Sequence, residues 1–243
     1  MANFVSPPHV LTNVVRFAGL NNVWWEETGS DLALSYHGRS ILENFHIYQA
    51  FTLMRDPEAD IFDGMTAEDA KFVRETMIDA IIATDLAFHD DHNRVGFQTQ
   101  SKLGAGGFST ESDADQRMLV LMCLKLSDLA NPSKGWPVYV KWIDCLFTEF
   151  YQQGDLEIAA GKTPAPHMNR DGPVPPAKAQ QNFIIYLMRP LMDEWVQVRY
   201  AFRSCCSGRS CTPAAAAAAV AAVRQVSVAG LNMALRDCVS GVA

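Results

Sequence analysis

The chain has 243 residues, 49% of them hydrophobic and 19% charged, which is enough for one large domain or two small ones around a sizeable core. Its net charge of −7 argues against a nucleic-acid surface, because phosphate binding needs a basic stripe. Six cysteines without a C-x-x-C spacing do not make a disulfide scaffold, Cys205, Cys206 and Cys211 read as reduced cytosolic thiols, and no apolar run reaches the ~18 residues of a membrane span.

The N-terminus "MANFVSPPHV" lacks a charged region followed by an apolar core, so no signal peptide is expected and the localisation reads as cytoplasmic. "SILENFHIYQAFTLM" (40–54) predicts a helix with Ser40 as cap and Glu43 three residues on. "MTAEDAKFVRETMIDAIIATDLAFH" (65–89) has the clearest helical period. Thr66 can cap it, with Asp69 at the acidic capping-box position. Phe72, Val73, Met77, Ala80, Ile81 and Thr84 recur at three- and four-residue steps, a buried face about five or six turns long. "HDDHN" (89–93) looks like a metal motif but reads better as a solvated helix end.

A glycine-rich loop (103–113) leads to the helix "DADQRMLVLMCLKLSDLA", where Asp128 ends an apolar run from Met118 to Leu126. Burying a lone carboxylate costs several kcal/mol, so Asp128 faces water, acts as a cap, or meets a metal ion. "PVYVKWIDCLFTEFYQQGDLEIAAG" is a further helix, with Trp142, Leu146 and Phe150 on one face at four-residue spacing. The loop 161–178 carries five prolines and is too long for a simple connection, as functional or disordered loops are. "AQQNFIIYLMRPLMDEWVQVRYAF" opens with Gln180, has Phe183 one turn later, and should kink or divide at Pro190. One amide beside apolar and aromatic side chains suits a flat heteroaromatic ligand, sandwiched by the rings and bonded at its edge. Strand signals are weak. The expectation is an all-α domain over residues 19–203 and a low-complexity, alanine-rich tail over 204–243.

The chain resembles the class I cyclic nucleotide phosphodiesterases, on five motifs in family order between Gly19 and Trp195. "GLNNVWWEETGSDLALSYHGRSILENFH" is similar to the family's "PG-x-x-N…S-x-LA-x-x-Y-x-x-x-S-x-LE-x-x-H". "IIATDLAFH" resembles "ILATDMxxH", and "LSDLANPSKGW" resembles "ADLSNPxKxW". "WIDCLFTEFYQQGDLE" resembles the "W…I-x-EEF-x-QGD-E" helix, and "QNFIIYLMRPLMDEW" resembles "Q-x-x-F-I-x-x-I-x-x-PL-x-x-W". The resemblance implies a multi-helix domain of the HD-superfamily type that hydrolyses cAMP or cGMP to the 5'-monophosphate with two divalent metals, zinc and magnesium. It implies that Asp128 is a metal ligand and that Gln180 binds the purine edge. Phe183 and Leu146 become the clamp and Phe150 the pocket wall. Asn131, Asn22 and Asp85 become polar pocket positions. Glu43 becomes a carboxylate holding metal-bound water, although it also suits a capping partner for Ser40. Rotation of the Gln180 amide accommodates either base.

The family's upstream "HNxxHAxxV" segment, with its general-acid histidine, has no counterpart here. Where "HDxDHPG" should precede Gly19, Asn13 and Val14 replace the His-Asp pair, and Arg16 and Phe17 replace the following Asp and His. Of the inferred metal ligands only Asp128 remains, short of the three or four that zinc needs. The expectation is therefore a domain lacking its N-terminal third and inactive as it stands. The alternative is a non-catalytic relative kept as a nucleotide- or protein-binding module.

Overall fold

The computed structural model describes residues 19–88, 112–172 and 174–206. The substituted positions Asn13, Val14, Arg16 and Phe17, the "HDDHN" segment, most of the glycine-rich loop and the tail beyond 206 lie outside the described residues. Among the described residues every regular element is helical, as the sequence pattern requires. The chain divides into two compact units.

The first unit draws on Met1–Ile41 and Lys141–Pro176. It opens with α1 (Asn22–Glu27) and α2 (Asp31–Ser35), which the periodicity did not predict. Elements of six and five residues are too short to show a 3.6-residue repeat, so their caps were the available signal. The Trp24 N–H donates to the Asn21 side chain at 3.0 Å, and the Ala33 N–H to the Ser30 hydroxyl at 3.1 Å. Each cap satisfies one orphan donor of its first turn.

A longer helix, α3 (Trp136–Ala159), supplies its residues from Lys141 onward to this unit. The proline-rich loop that follows is folded onto it. A Cβ placed on Gly154 would sit 2.8 Å from the Met168 carbonyl carbon and closer still to its oxygen, so only glycine permits this approach. Met168 is buried there, and Arg170 pairs with Asp155 at 2.9 Å while its guanidinium lies over the Tyr151 ring.

The second unit draws on Leu42–Val140 and Ala177–Ala243. Its first helix, numbered α4 (Ile41–Leu53), belongs to this unit from Leu42 onward and begins where predicted but not with the expected cap geometry. Ser40 sits at φ 42°, in the left-handed region, whereas a cap residue is normally extended. α5 (Ala67–Ile82) starts as expected: the Asp69 N–H donates to Thr66 Oγ1 at 3.1 Å, and that hydroxyl donates to the Asp69 carboxylate at 2.7 Å.

The helix stops at Ile82, so its 16 residues make about four and a half turns rather than five or six. The apolar period continues to Thr84, but two polar side chains divert the backbone. Thr84 donates to the Ile81 carbonyl at 2.7 Å, and Asp85 accepts from the Ala87 N–H at 2.9 Å, opening a 3-10 turn at Leu86–Phe88.

α6 (Asp113–Leu129), capped by Ser112, packs against α5. Met118, Met122, Leu126 and Leu129 are buried on α6, and Thr76 and Ala80 on α5. Arg117 ties the pair at the surface, reaching Glu75 at 3.1 Å and Asp79 at 3.0 Å. A 3-10 turn, Asn131–Ser133, follows α6.

The last helical run begins earlier than expected, as α7 (Pro176–Phe183). It widens into a π turn at Ile184–Met188 and continues as α8 (Arg189–Cys206). Pro190 lacks an N–H and its ring would crowd the carbonyl of Tyr186, and the wider π ladder just before it relieves both problems without breaking the rod. α8 packs on α6.

Candidate functional site

In the second unit the acidic centre lies at the C-terminal end of α6. Asp128 is in the last turn, an unfavourable place for a negative charge because the helix dipole presents its negative end there. Its side chain is exposed, yet desolvation by its surroundings pushes the carboxyl up from its ordinary range, opposed by the charges of His46 and Lys125. Asp128 is not the cap of α6. That position belongs to Ala130, whose N–H donates to the Ser127 carbonyl.

Lys125, one turn earlier, is 4% exposed and donates to the Ala83 carbonyl at 3.0 Å. Burial lowers its pKa, and Asp85 and Asp128 counter that effect. The lysine thus lies within electrostatic reach of both carboxylates. Asp85 is itself buried, and its side chain opens the turn after α5. Glu43 is half-buried on α4, one turn before His46.

Sequence reasoning missed Lys125, although a lysine inside the apolar run Met118 to Leu126 was the signal. Among the described residues no three His, Cys, Asp or Glu side chains come together as a metal ion requires. By themselves they do not fit the family's two-metal centre.

The second feature of this unit is Gln180. It is buried on α7, and the Tyr139 hydroxyl donates to its Oε1 at 2.8 Å. Tyr139 is 1% exposed, with the Trp136 ring edge-on to it at 6.1 Å. A phenol donates or accepts, so a rotated Gln180 amide would still keep this partner. Phe183 is half-buried one turn on, and Asn131 is half-buried at the start of its 3-10 turn. Tyr139 was not singled out from the sequence, where "PVYVKW" marks it only as a helical apolar position.

The first unit holds the remaining positions. Leu146 and Phe150 are half-buried on α3. The Phe150 ring meets Phe147 at 5.7 Å and His167, from the proline-rich loop, at 5.1 Å, both edge-on. Asn22 opens α1 and is half-buried. Its neighbour Asn21 donates its N–H to Gln153 Oε1 at 2.9 Å, and Gln153 Nε2 donates to Glu157 at 2.6 Å. Gln153, 2% exposed, is a further polar residue that the sequence reading passed over.

The family model for 3'5'-cyclic nucleotide phosphodiesterases matches residues 15–207. The Drosophila melanogaster 3',5'-cyclic-AMP phosphodiesterase, isoform F, is 31% identical over 187 residues, which cover 76% of this chain and 28% of that protein. The chain therefore spans less than a third of the length of that relative. The phosphodiesterase domain of the RhoPDE fusion protein from the choanoflagellate Salpingoeca rosetta superposes with a TM-score of 0.74 at 21% identity, covering 98% of this chain and 70% of that one. A second structure, the phosphodiesterase domain of S. rosetta rhodopsin phosphodiesterase, gives 0.74 at 22% identity, covering 92% and 61%. At these identities the likeness speaks for the fold. Among the described residues no helix is long and apolar enough to cross a membrane. The family match over most of its length, with an all-helical fold shared with phosphodiesterase domains, shows that the chain belongs to the 3'5'-cyclic nucleotide phosphodiesterase family.

Proposed function

We propose that this chain recognises the base of a 3',5'-cyclic nucleotide through Gln180, within a domain (residues 19–203) whose reaction is hydrolysis to the 5'-monophosphate. The observation that carries the reading is the buried Gln180 amide held by the Tyr139 hydroxyl at 2.8 Å. An amide offers a donor and an acceptor side by side, which matches the hydrogen-bonding edge of adenine or guanine. Both cAMP and cGMP belong to the proposal.

The resemblance supports apolar contacts to the base from Phe183, Leu146 and Phe150, and polar roles for Asn22, Asn131 and Asp85. It also supports Asp128 as a ligand of a divalent metal, zinc or magnesium, and Glu43 as a holder of metal-bound water. When bound, such metals would neutralise phosphate charge and lower the pKa of a bound water. The chain's own contribution is to bind and orient the base. A cytoplasmic location is part of the same reading.

Calorimetry with cAMP and cGMP on the wild type and Gln180→Ala tests it. The substitution should weaken binding by about 1–3 kcal/mol, the cost of an unpaired buried polar partner. Equal affinities would remove Gln180 from the function.

One observation favours a non-catalytic binding module: Asn13 and Val14 stand where the family has its His-Asp pair. We expect binding without measurable turnover, read as 5'-monophosphate formation in zinc and magnesium. Robust turnover abolished by Asp128→Asn would overturn this, and would direct attention to His89, Asp90 and His92.

A further inference from the structure

We propose that His167 is a positioning residue for base recognition, setting the tilt of the Phe150 ring; this rests on the reading of Phe150 as a wall of the base pocket. Among the described residues Phe150 has two ring contacts. Phe147, on the same helix, is 4% exposed and itself packs on Tyr151 at 5.6 Å, so it is a fixed stop. His167, half-buried on the loop, meets Phe150 at 5.1 Å and 69°.

The loop is anchored on both sides of the histidine: before it, Lys162 pairs with Glu27 at 2.6 Å. After it, Met168 is buried against Gly154, and Arg170 is held by Asp155 and Tyr151. The imidazole is therefore presented to Phe150 by fixed backbone, and its remaining freedom is ring rotation and protonation.

Two influences act on that proton. Burial disfavours the imidazolium and lowers the pKa, while the charge of Glu157 on α3 favours it. Glu157 is held by Gln153, whose Oε1 in turn accepts the Asn21 N–H. Arg170, the nearby cation of the loop itself, is engaged with Asp155. Neutral His167 keeps an apolar edge on Phe150. Once protonated, it turns toward Glu157 or water, and Phe150 loses that support.

The test uses the full chain and cAMP as the probe, whose adenine and phosphodiester do not titrate near neutrality. Calorimetry is run at mildly acid and neutral pH on the wild type, His167→Met and Gln180→Ala. His167→Met keeps the bulk and removes the proton. The wild type should bind cAMP about five-fold or more weakly at acid pH, a typical size for coupling between two sites. His167→Met should hold one affinity throughout.

A second measurement needs no variant of the histidine. Coupling is reciprocal, so saturating cAMP must move the His167 NMR titration to lower pH. The same pH dependence in wild type and His167→Met, or a titration that cAMP leaves unmoved, overturns the role of His167 while the pocket reading stands. Undetectable cAMP binding, or binding indifferent to Gln180→Ala, overturns the pocket reading and this inference with it.

Discussion

Replacing Gly154 by alanine puts one methyl group where α3 and the proline-rich loop leave no room. In a helix interior this change ordinarily stabilises, by roughly 1 kcal/mol, because alanine restricts the unfolded chain. Here the new Cβ would lie 2.8 Å from the Met168 carbonyl carbon, whereas carbon atoms pack best at roughly 3.5–4.0 Å. The neighbour is backbone, so no side chain can swing aside. The chain then has two options.

It can shift helix against loop by about an ångström, an overpacking strain of roughly 1–3 kcal/mol or more. Or it can release the loop. That forfeits burial of Met168, about 1.5–3 kcal/mol, and the His167–Phe150 ring contact, about 0.5–1.5 kcal/mol. The exposed Arg170–Asp155 pair adds little. Either way the cost exceeds the propensity gain, and a net loss of about 1–3 kcal/mol follows. For a chain of this size that is a fall in Tm of roughly 3–10 °C, read by calorimetry or circular dichroism. If the loop is released, the His167 titration should also return toward the ordinary histidine value. An unchanged or raised Tm in Gly154→Ala would mean that the loop does not rest on the helix as described.

Three further outcomes are expected. The pKa of His167 is lowered on folding, so the unfolded chain binds more protons between the two values and stability falls as pH drops below the ordinary histidine value, ~6.5; Tm scans of the wild type and His167→Met should diverge only on that acid side. The carboxyl of Asp128 is raised on folding, so its contribution is present below the ordinary carboxylate range and lost as pH rises through the folded value; the wild type should therefore lose stability relative to Asp128→Asn across that window, by denaturant titration. Tyr139→Phe removes the donor to Gln180 Oε1 and should lower the unfolding free energy by about 1–3 kcal/mol in urea, and no change would mean that water already serves the amide.

The parts of the fold that the sequence revealed are those whose signals are local. α4, α5, α6 and α3 each carry several turns of apolar period, and Thr66 announces the start of α5 by its spacing to Asp69. The end of α5 was not legible, because Thr84 fits the apolar period while its hydroxyl and the Asp85 carboxylate turn the backbone away. The Pro190 distortion was legible as an event but not as a π turn, since the sequence shows a missing N–H and not how the ladder absorbs it.

The candidate site divides along the same line. Asp128 and Gln180 stand out in short motifs, whereas their companions do not. Gln180 is 41 residues from Tyr139, and Lys125 is 42 from the Ala83 carbonyl it bonds, so no local spacing connects either pair. What the sequence does contain is a conflict. "LMCLKLSDL" places a lysine and an aspartate one turn apart in a stretch whose period demands burial. A lysine there is tolerated only if other groups answer it: the distant Ala83 carbonyl accepts its hydrogen bond, and Asp85 and Asp128 favour its charge.

The aspartate is harder to account for by stability. It sits at the negative end of a helix dipole, and its carboxyl is pushed up by desolvation. Asparagine would keep the shape without the charge. The charges of His46 and Lys125 favour the carboxylate against these forces, and a carboxylate kept against propensity, dipole and desolvation is what the proposed metal-ligand role of Asp128 would require.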